Sequence, residues 1–231
     1  GFMREDANQL RDEIGNKLGI PREKVMLCFS HTHSAPNISI EPEYFRFLRE
    51  QVLIGVSEAE RTIAPIKAVW GMNEADIGVN RRNAHGVLDK RLGILKIADA
   101  DTDHLRLLIL RVTAHANALD CHMISSDFVG VARGLLEERF GCKVMVTQGA
   151  SGNVNPKYNG SAEALDKMAF AILEAIAPCV DNLKPHRINE LSMFSQTETF
   201  FADVPSSERA KAISDEAMQV NGIDGTQWLE E

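Results

Sequence analysis

Residues Leu92–Val112 read LGILKIADADTDHLRLLILRV, and this stretch decides the fold class. Two apolar runs, Leu92–Ala98 and Leu105–Val112, have the length and composition of strands. The polar segment Asp99–Asp103 between them predicts a hairpin turn, because the glutamate and the glycine spacing of a calcium-binding loop are missing. A hairpin here makes at least part of the sheet antiparallel.

Helical and strand-like segments alternate on both sides of this hairpin. Helices are predicted over Arg4–Leu18, Tyr44–Ile63, Ser126–Phe140, Ala162–Ile176 and Ser206–Val220, and further strands over Val25–Phe29, Ile66–Met72, Lys143–Thr147 and Ile188–Phe200. This order predicts an α/β fold, with a mixed sheet flanked by helices and at least one antiparallel hairpin. Because no repeat or interdomain linker is visible, residues 1–231 are expected to form a single catalytic-type α/β domain.

Two histidines follow the predicted strand Val25–Phe29, in the segment SHTHSAP at Ser30–Pro36. Residues i and i+2 of a strand point to the same face, so His31 and His33 are expected to converge on one point. Neutral imidazoles are the ligands that zinc prefers. The alternative is a solvated His-Thr-His turn.

Two further segments stand at predicted strand ends. His115 follows Leu105–Val112, and ligand sites in α/β sheets collect beyond the carboxyl ends of strands, so it is placed to join the pair unless its role is structural. The glycine-rich segment Gln148–Pro156 follows Lys143–Thr147 and suits either a ligand-binding loop or a tight turn. It matches neither a Walker loop nor a nucleophile elbow.

Six short blocks, taken in order, resemble the neutral/alkaline non-lysosomal ceramidases and the bacterial proteins that share their amino-terminal catalytic domain. The blocks are Ser30–Pro36, Val79–Asn83, Leu88–Ile97, Ala114–His115, Ser126–Asp127 and Gln148–Pro156. This resemblance covers most of the chain from Arg4 to Pro156. It implies a zinc-dependent, amidase-like hydrolase.

The resemblance also implies roles for four residues. His31 and His115 correspond to zinc ligands, and His33 corresponds to a histidine that lines the active site. Arg81 corresponds to an arginine on the substrate side of the pocket. From the residues alone, Arg81 equally fits a solvated basic turn.

The sequence departs from the ceramidase pattern in two ways. Asn155 stands where these enzymes have a nucleophilic serine, and a carboxamide cannot accept an acyl group as that serine does. A zinc-activated water is therefore the expected nucleophile, with Asn155 positioning the substrate or the water. In addition, the family's first strands and its later carboxy-terminal segment, which supplies a glutamate and a tyrosine to the zinc, are not recognisable, so further metal ligands are expected outside this sequence.

The composition and charge of the chain argue against some classes of binding partner and location. The chain has 231 residues with a formal net charge of −8, and no long basic block, which argues against nucleic acid as a partner. No apolar run approaches the length of a membrane span. The four cysteines form no C-x-x-C pair and are expected to be reduced thiols, consistent with a cytoplasmic location. The oligomeric state is not predicted.

Two functions remain open at this point. The first is a hydrolase that cleaves an amide-type bond in a small-molecule or lipid-like substrate. The second is a homologue that kept the fold and lost the chemistry, and that acts as a small-ligand-binding protein. The asparagine at position 155 is the feature that favours the second.

Overall fold

The structure is a computed structural model that describes residues 2–36, 41–119, 123–194, 196, 198–199, 201 and 204–222. The chain divides into two compact units, Gly1–Phe194 and Ser195–Glu231, and each is described by itself. A single catalytic-type domain over residues 1–231 stays a prediction.

The helices and strands follow the predicted alternation. In chain order they are α1 (Arg4–Leu18), a 3-10 turn (Arg22–Lys24), α2 (Pro42–Glu60), β1 (Ile66–Glu74), β2 (Gly78–Asn80), β3 (Arg91–Asp99), β4 (Leu105–Val112), α3 (Asp127–Phe140), β5 (Lys143–Gln148), β6 (Val154–Pro156), α4 (Ala162–Asn182), β7 (His186–Arg187) and α5 (Ser207–Asn221). Helix α5 belongs to the second unit, and all other elements belong to the first.

The main sheet of the first unit is mixed, as predicted. Its strand order in the described part of the chain is β5-β4-β3-β1-β7. Strands β3 and β4 form the expected antiparallel hairpin, whereas β4 and β5 run parallel, with Val112 opposite Gln148 at their carboxyl ends. Parallel neighbours need a crossover connection, and α3 supplies it. The predicted α/β class is confirmed.

One face of this sheet forms the main core. Leu108, Leu110 and Val112 alternate along β4 towards the buried side, as expected of a strand that has one face covered. Helices α3 and α4 pack on each other and against the sheet, α3 next to β5 and α4 next to β1 and β3. Phe128 and Leu136 of α3 are fully buried in the same cluster.

The predicted strand Val25–Phe29 is wrong. Val25 is buried with Leu10 and Ile14 of α1, but Met26 is 71% exposed and the segment pairs with no strand in the described part of the chain. Apolar composition alone indicated a strand, but the segment lacks a hydrogen-bonded neighbour. A hydrogen bond from Arg11 Nε to the Val25 carbonyl, at 2.8 Å, holds this residue against α1 instead.

Two other boundaries also differ from expectation. Helix α4 continues through Pro178 to Asn182, because its apolar face remains buried as far as Val180. The predicted strand Ile188–Phe200 is wrong, because none of its described residues belongs to a strand. The short strand that pairs with β1 is His186–Arg187, just before the predicted start. Residues 195, 197 and 200 of that prediction lie outside the described residues.

A small second sheet lies beside the carboxyl end of the main one. Strands β2 and β6 pair antiparallel, with Val79 opposite Asn155. Gly78 lets the two strands approach closely, since a Cβ atom there would meet Val154 Cγ1 at 2.5 Å. This ribbon places Arg81, directly after β2, next to the loop that follows β5.

Among the helices that the structure describes, none is both long and apolar enough to cross a membrane. Cys28, Cys142 and Cys179 are free thiols, as expected, and Cys121 lies outside the described residues.

Candidate metal centre

Two strand ends and the Ser30–Pro36 segment meet at one edge of the main sheet. His115 follows β4, and the Gly149–Asn153 loop follows the neighbouring parallel strand β5. The Gly149 N–H donates to the Val112 carbonyl at 2.6 Å, which starts the loop directly beside the end of β4. The expectation that these segments gather at the carboxyl ends of the strands is met.

His115 is buried and oriented by the loop. It is 5% exposed, and its Nδ1 lies 2.7 Å from the Ser151 carbonyl oxygen. A carbonyl oxygen only accepts, so Nδ1 carries the proton and donates, and Nε2 keeps its lone pair. This is the arrangement that holds a histidine ready to bind a metal. The His115 backbone N–H also donates to the Val154 carbonyl at 2.9 Å.

His31 and His33 converge for a different reason from the one the sequence suggested. They do not lie in a strand, and His31 has φ 58°, in the left-handed region. This backbone conformation turns the chain, so strand alternation does not explain the convergence. The His33 N–H donates to the Ala116 carbonyl at 3.0 Å, and this bond fixes the segment beside the loop that carries His115.

The three imidazoles form a compact cluster. Ring centroids are separated by 4.9 Å for His31 and His115, 5.1 Å for His31 and His33, and 5.5 Å for His33 and His115. One nitrogen from each ring lies within 4.8 Å of the others. Zinc–nitrogen bonds of about 2.0–2.1 Å place the nitrogens of one site closer together than 4.8 Å, so the three rings would have to approach one another to share one ion. Three imidazole ligands fit zinc or a similar divalent ion.

The electrostatics of the cluster favour neutral rings. His31 and His33 are both exposed, but partial shielding of the His31 ring from water lowers its pKa from 6.5, and the nearby His115 and His33 lower it further. Burial also lowers the pKa of His33, with His115 and Arg81 contributing in the same direction. Since only a neutral imidazole binds a metal, these shifts keep the ligands available near neutral pH.

Thr32, between the two histidines, ties the segment to the start of α3. Its hydroxyl donates to the Ser125 carbonyl at 2.7 Å, and the Ser125 N–H donates to the Ser34 carbonyl at 2.8 Å. Ser34 is buried. The segment is therefore held on both sides, by this pair of bonds and by the bond from His33 to Ala116.

Asp127 supports the site without belonging to it. Its carboxylate is 1% exposed and accepts hydrogen bonds from the N–H groups of Ala118, Leu119 and Phe128, at 3.1, 2.9 and 2.8 Å. Two of these donors lie in the loop that carries His115. The sequence left Asp127 open between helix capping and a site role. In the structure its carboxylate accepts from the N–H of the next residue, Phe128, in the first turn of α3, and it also fixes the loop.

Gln148, the last residue of β5, was not singled out from the sequence. Its Nε2 donates both to the Ser30 carbonyl at 3.0 Å and to the Ala114 carbonyl at 2.9 Å. These bonds join the residues that immediately precede His31 and His115. A polar residue at the end of an apolar strand was the available signal for this role.

Arg81 lies at the rim of the site. Its backbone N–H donates to the Asn153 carbonyl at 2.9 Å, and its Nε donates to the Gly152 carbonyl at 3.0 Å. The side chain is exposed and close enough to influence the pKa values of His31 and His33. It is thus anchored to the glycine-rich loop while its remaining N–H groups can face a ligand.

Asn155 lies on β6 and lines a cleft beside His33. The cleft has a volume of about 410 Å³. Its lining residues are His33, Ser34, Asn117, Leu119, Asn155, Pro156, Asn159 and Gly160. Asn117 is a further cleft residue to which the sequence assigned no role. The sequence feature that could have identified it is its position two residues after His115.

The sequence matches no protein-family model and no curated protein sequence.

Proposed function

We propose that this protein is a metal-dependent hydrolase that resembles the neutral ceramidases and cleaves an amide-type bond. The observation that carries the proposal is the cluster of His31, His33 and His115, whose nitrogens lie within 4.8 Å of one another beside a polar cleft. His31 and His33 are exposed beside the buried His115, so packing in the core does not account for their convergence on it.

The proposal assigns the ion, zinc, to His31 and His115. Their ring centroids are the closest pair, and the Nδ1 of His115 is already bonded to Ser151. When bound, zinc would lower the pKa of a water so that it ionises near neutral pH, and zinc would also polarise the acyl carbonyl of the substrate. This chemistry needs no side-chain hydroxyl as nucleophile, which agrees with the presence of asparagine at position 155.

The remaining groups act on the substrate. His33 lines the cleft and has a lowered pKa, so near neutral pH its ring can accept a proton and pass it to the leaving amine. Arg81, anchored at the rim, binds a polar or anionic group of the substrate. The Gly149–Asn153 loop shapes the wall of the pocket.

Metal analysis of purified protein tests the metal site. We expect about one equivalent of a divalent metal per chain in protein prepared without chelator, and a clear loss in His31→Ala and His115→Ala. His104→Ala removes an exposed histidine just after the β3–β4 turn and serves as the matched control, with unchanged metal content. Wild-type protein without metal, or unchanged occupancy in His115→Ala, would exclude this proposal.

The second candidate is a protein that binds a small ligand without turnover. Asn155 favours it, because the carboxamide lines the cleft where a serine nucleophile would be expected. An amidase assay on metal-loaded protein separates the two functions. Ligand binding without any metal-dependent turnover would support the binding protein and exclude the hydrolase.

A further inference from the structure

The cleft beside His33 has an uncharged polar lining. Five of its eight lining residues carry a hydroxyl, a carboxamide or an imidazole: His33, Ser34, Asn117, Asn155 and Asn159. None of the lining residues that the structure describes is an aspartate, glutamate, lysine or arginine. Leu119 and Pro156 are the two larger apolar members.

The side-chain oxygens of Asn117 and Asn155 find no hydrogen-bond partner in the part of the chain that the structure describes. Both of these oxygens are buried. Buried polar atoms in folded proteins are nearly always hydrogen-bonded, so two unpaired oxygens in one cleft wall call for a specific explanation. The amide torsion χ2 is broad and roughly two-fold, so a half-turn about it presents either the oxygen or the N–H₂ group to the cleft.

The backbone beneath both carboxamides is fixed. Asn155 pairs with Val79 in the β2–β6 ribbon. Asn117 lies between Ala116, whose carbonyl accepts from His33, and Ala118, whose N–H donates to Asp127. The backbone positions from which the two amides extend are thus fixed before any ligand arrives, and a pre-formed site favours selective binding.

We propose that this cleft recognises an uncharged group rich in hydroxyl or amide hydrogen bonds, so that the substrate is a hydroxylated amide and not an amide with a long apolar chain. The inference rests on the proposed function for the identity of the bond that is cut, because His33 belongs to both the histidine cluster and the cleft. Carboxamides pair with hydroxyl and amide groups because each offers one donor end and one acceptor end. A site built on such groups rejects an apolar analogue, because its polar atoms would remain unpaired.

The test compares three probes on the whole protein by calorimetry, with and without zinc. N-acetylglucosamine is uncharged and hydroxylated, N-hexylacetamide carries the same amide on an apolar chain, and N-acetylglucosamine 6-sulfate adds a charge. We expect N-acetylglucosamine to bind at least about tenfold more tightly than N-hexylacetamide, the difference made by a pair of buried hydrogen bonds. The sulfate should gain nothing in Arg81→Ala, which removes the exposed arginine at the rim. Equal or tighter binding of N-hexylacetamide by wild type, or tighter binding of the sulfate than of N-acetylglucosamine by Arg81→Ala, would overturn the proposal.

Two variants test the carboxamides directly. Asn117→Leu and Asn155→Leu should each weaken N-acetylglucosamine binding by about tenfold and leave N-hexylacetamide binding unchanged or tighter. Asn189→Leu alters an exposed asparagine outside the cleft lining and should change neither. If both cleft variants bind N-acetylglucosamine like wild type, the carboxamides do not recognise it and the proposal fails.

The probe series on wild-type protein decides the question even where a variant fails to fold. Metal content and amidase activity of the same samples report on the proposed function separately. Selective binding of N-acetylglucosamine by protein that lacks metal would support the cleft assignment and exclude the hydrolase. Bound metal and amidase activity without this selectivity would support the hydrolase and exclude the cleft assignment.

Discussion

His31 has an unusual backbone for its residue type. A non-glycine residue at φ 58° is strained by about 1 kcal/mol or more, and such strain persists where surrounding bonds hold it. Here the bonds from Gln148 to Ser30 and from His33 to Ala116 act on either side of it. The conformation is what turns the His31 ring towards His115.

His33→Ala should lower turnover far more than it lowers metal content. In the proposed site His33 faces the cleft and moves a proton, a role worth roughly 10²–10⁴-fold in rate. Steady-state kinetics and elemental analysis of the same preparation provide the comparison, with His104→Ala as control. A parallel loss of metal and activity would identify His33 as a third ligand.

Asn155→Ala should slow turnover only modestly and raise KM. The carboxamide positions the substrate, and loss of one such contact is small beside the loss of a nucleophile, which removes several orders of magnitude. Kinetics on a hydroxylated amide would show this split between KM and kcat. Robust cleavage of ceramide, or a trapped covalent adduct on Ser151, would contradict the mechanism.

Zinc occupancy should depend on pH in a defined direction. The pKa values of His31 and His33 lie below 6.5, so both rings stay neutral at lower pH than an ordinary histidine. At fixed free zinc, occupancy should persist to lower pH than for a site of ordinary histidines, and it should fall once the His31 ring is protonated. Equilibrium dialysis at a series of pH values measures it. Loss of zinc already above pH 7 would contradict neutral, pre-formed ligands.

At the scale of elements, the loop between β4 and α3 depends on Asp127. Three backbone N–H groups donate to this buried carboxylate, and each bond to a charged acceptor stabilises by about 1.5–3 kcal/mol. The loop places both His115 and Asn117. Its shape therefore rests on one side chain from the first turn of the following helix.

Asp127→Ala should lower the free energy of unfolding by about 3 kcal/mol or more and weaken zinc binding at the same time. Denaturant unfolding followed by circular dichroism measures the first effect, and zinc titration the second. Asp181→Ala breaks an exposed ion pair with Arg139 and should change stability by less than about 1 kcal/mol. Similar small effects for both variants would show that Asp127 does not hold the loop.

The strands of the central hairpin and the main helices could be predicted from the sequence because their signals are local. Apolar alternation fixes β4, and Gly19 and Gly141 end α1 and α3 in left-handed conformations, as helix caps do. The prediction of a strand at Val25–Phe29 failed because a strand needs a hydrogen-bonded neighbour, and no local sequence pattern shows whether one is present. Ile188–Phe200 failed for the same reason over its described residues.

The candidate site was predictable only in part. His31, His33 and His115 could be picked out because each follows an apolar run, and the structure brings all three together, although the run before His31 is not a strand. The contacts of Gln148 and Asp127 join segments that lie far apart in the sequence, so sequence spacing alone does not reveal them. The left-handed turn at His31 is likewise set by tertiary bonds.

At the scale of the whole molecule, the histidines connect parts of the first unit that are distant along the chain. His31 follows the α1 segment, whereas His115 follows the central strand β4. An ion bound between them holds two regions together that are far apart in the unfolded chain. Binding is then linked to folding of the first unit, Gly1–Phe194.

Zinc should therefore raise the thermal midpoint of wild-type protein, and a chelator should lower it. At a free zinc concentration a thousandfold above Kd, linkage predicts about 4 kcal/mol of added stability. Differential scanning calorimetry of wild type and His115→Ala provides the measurement. An equal zinc effect on both proteins would place the ion elsewhere.

Strand β5 has a further physical consequence because it stands at the edge of the main sheet. Among the described residues, its hydrogen-bonded neighbour is β4 on one side, and the other side of Lys143–Gln148 is open. An unpaired row of N–H and C=O groups on an apolar strand is a template for strand addition between molecules. Met145, 52% exposed, adds apolar surface there. We therefore expect concentrated samples to self-associate along this edge, with the charge of Lys143 opposing it.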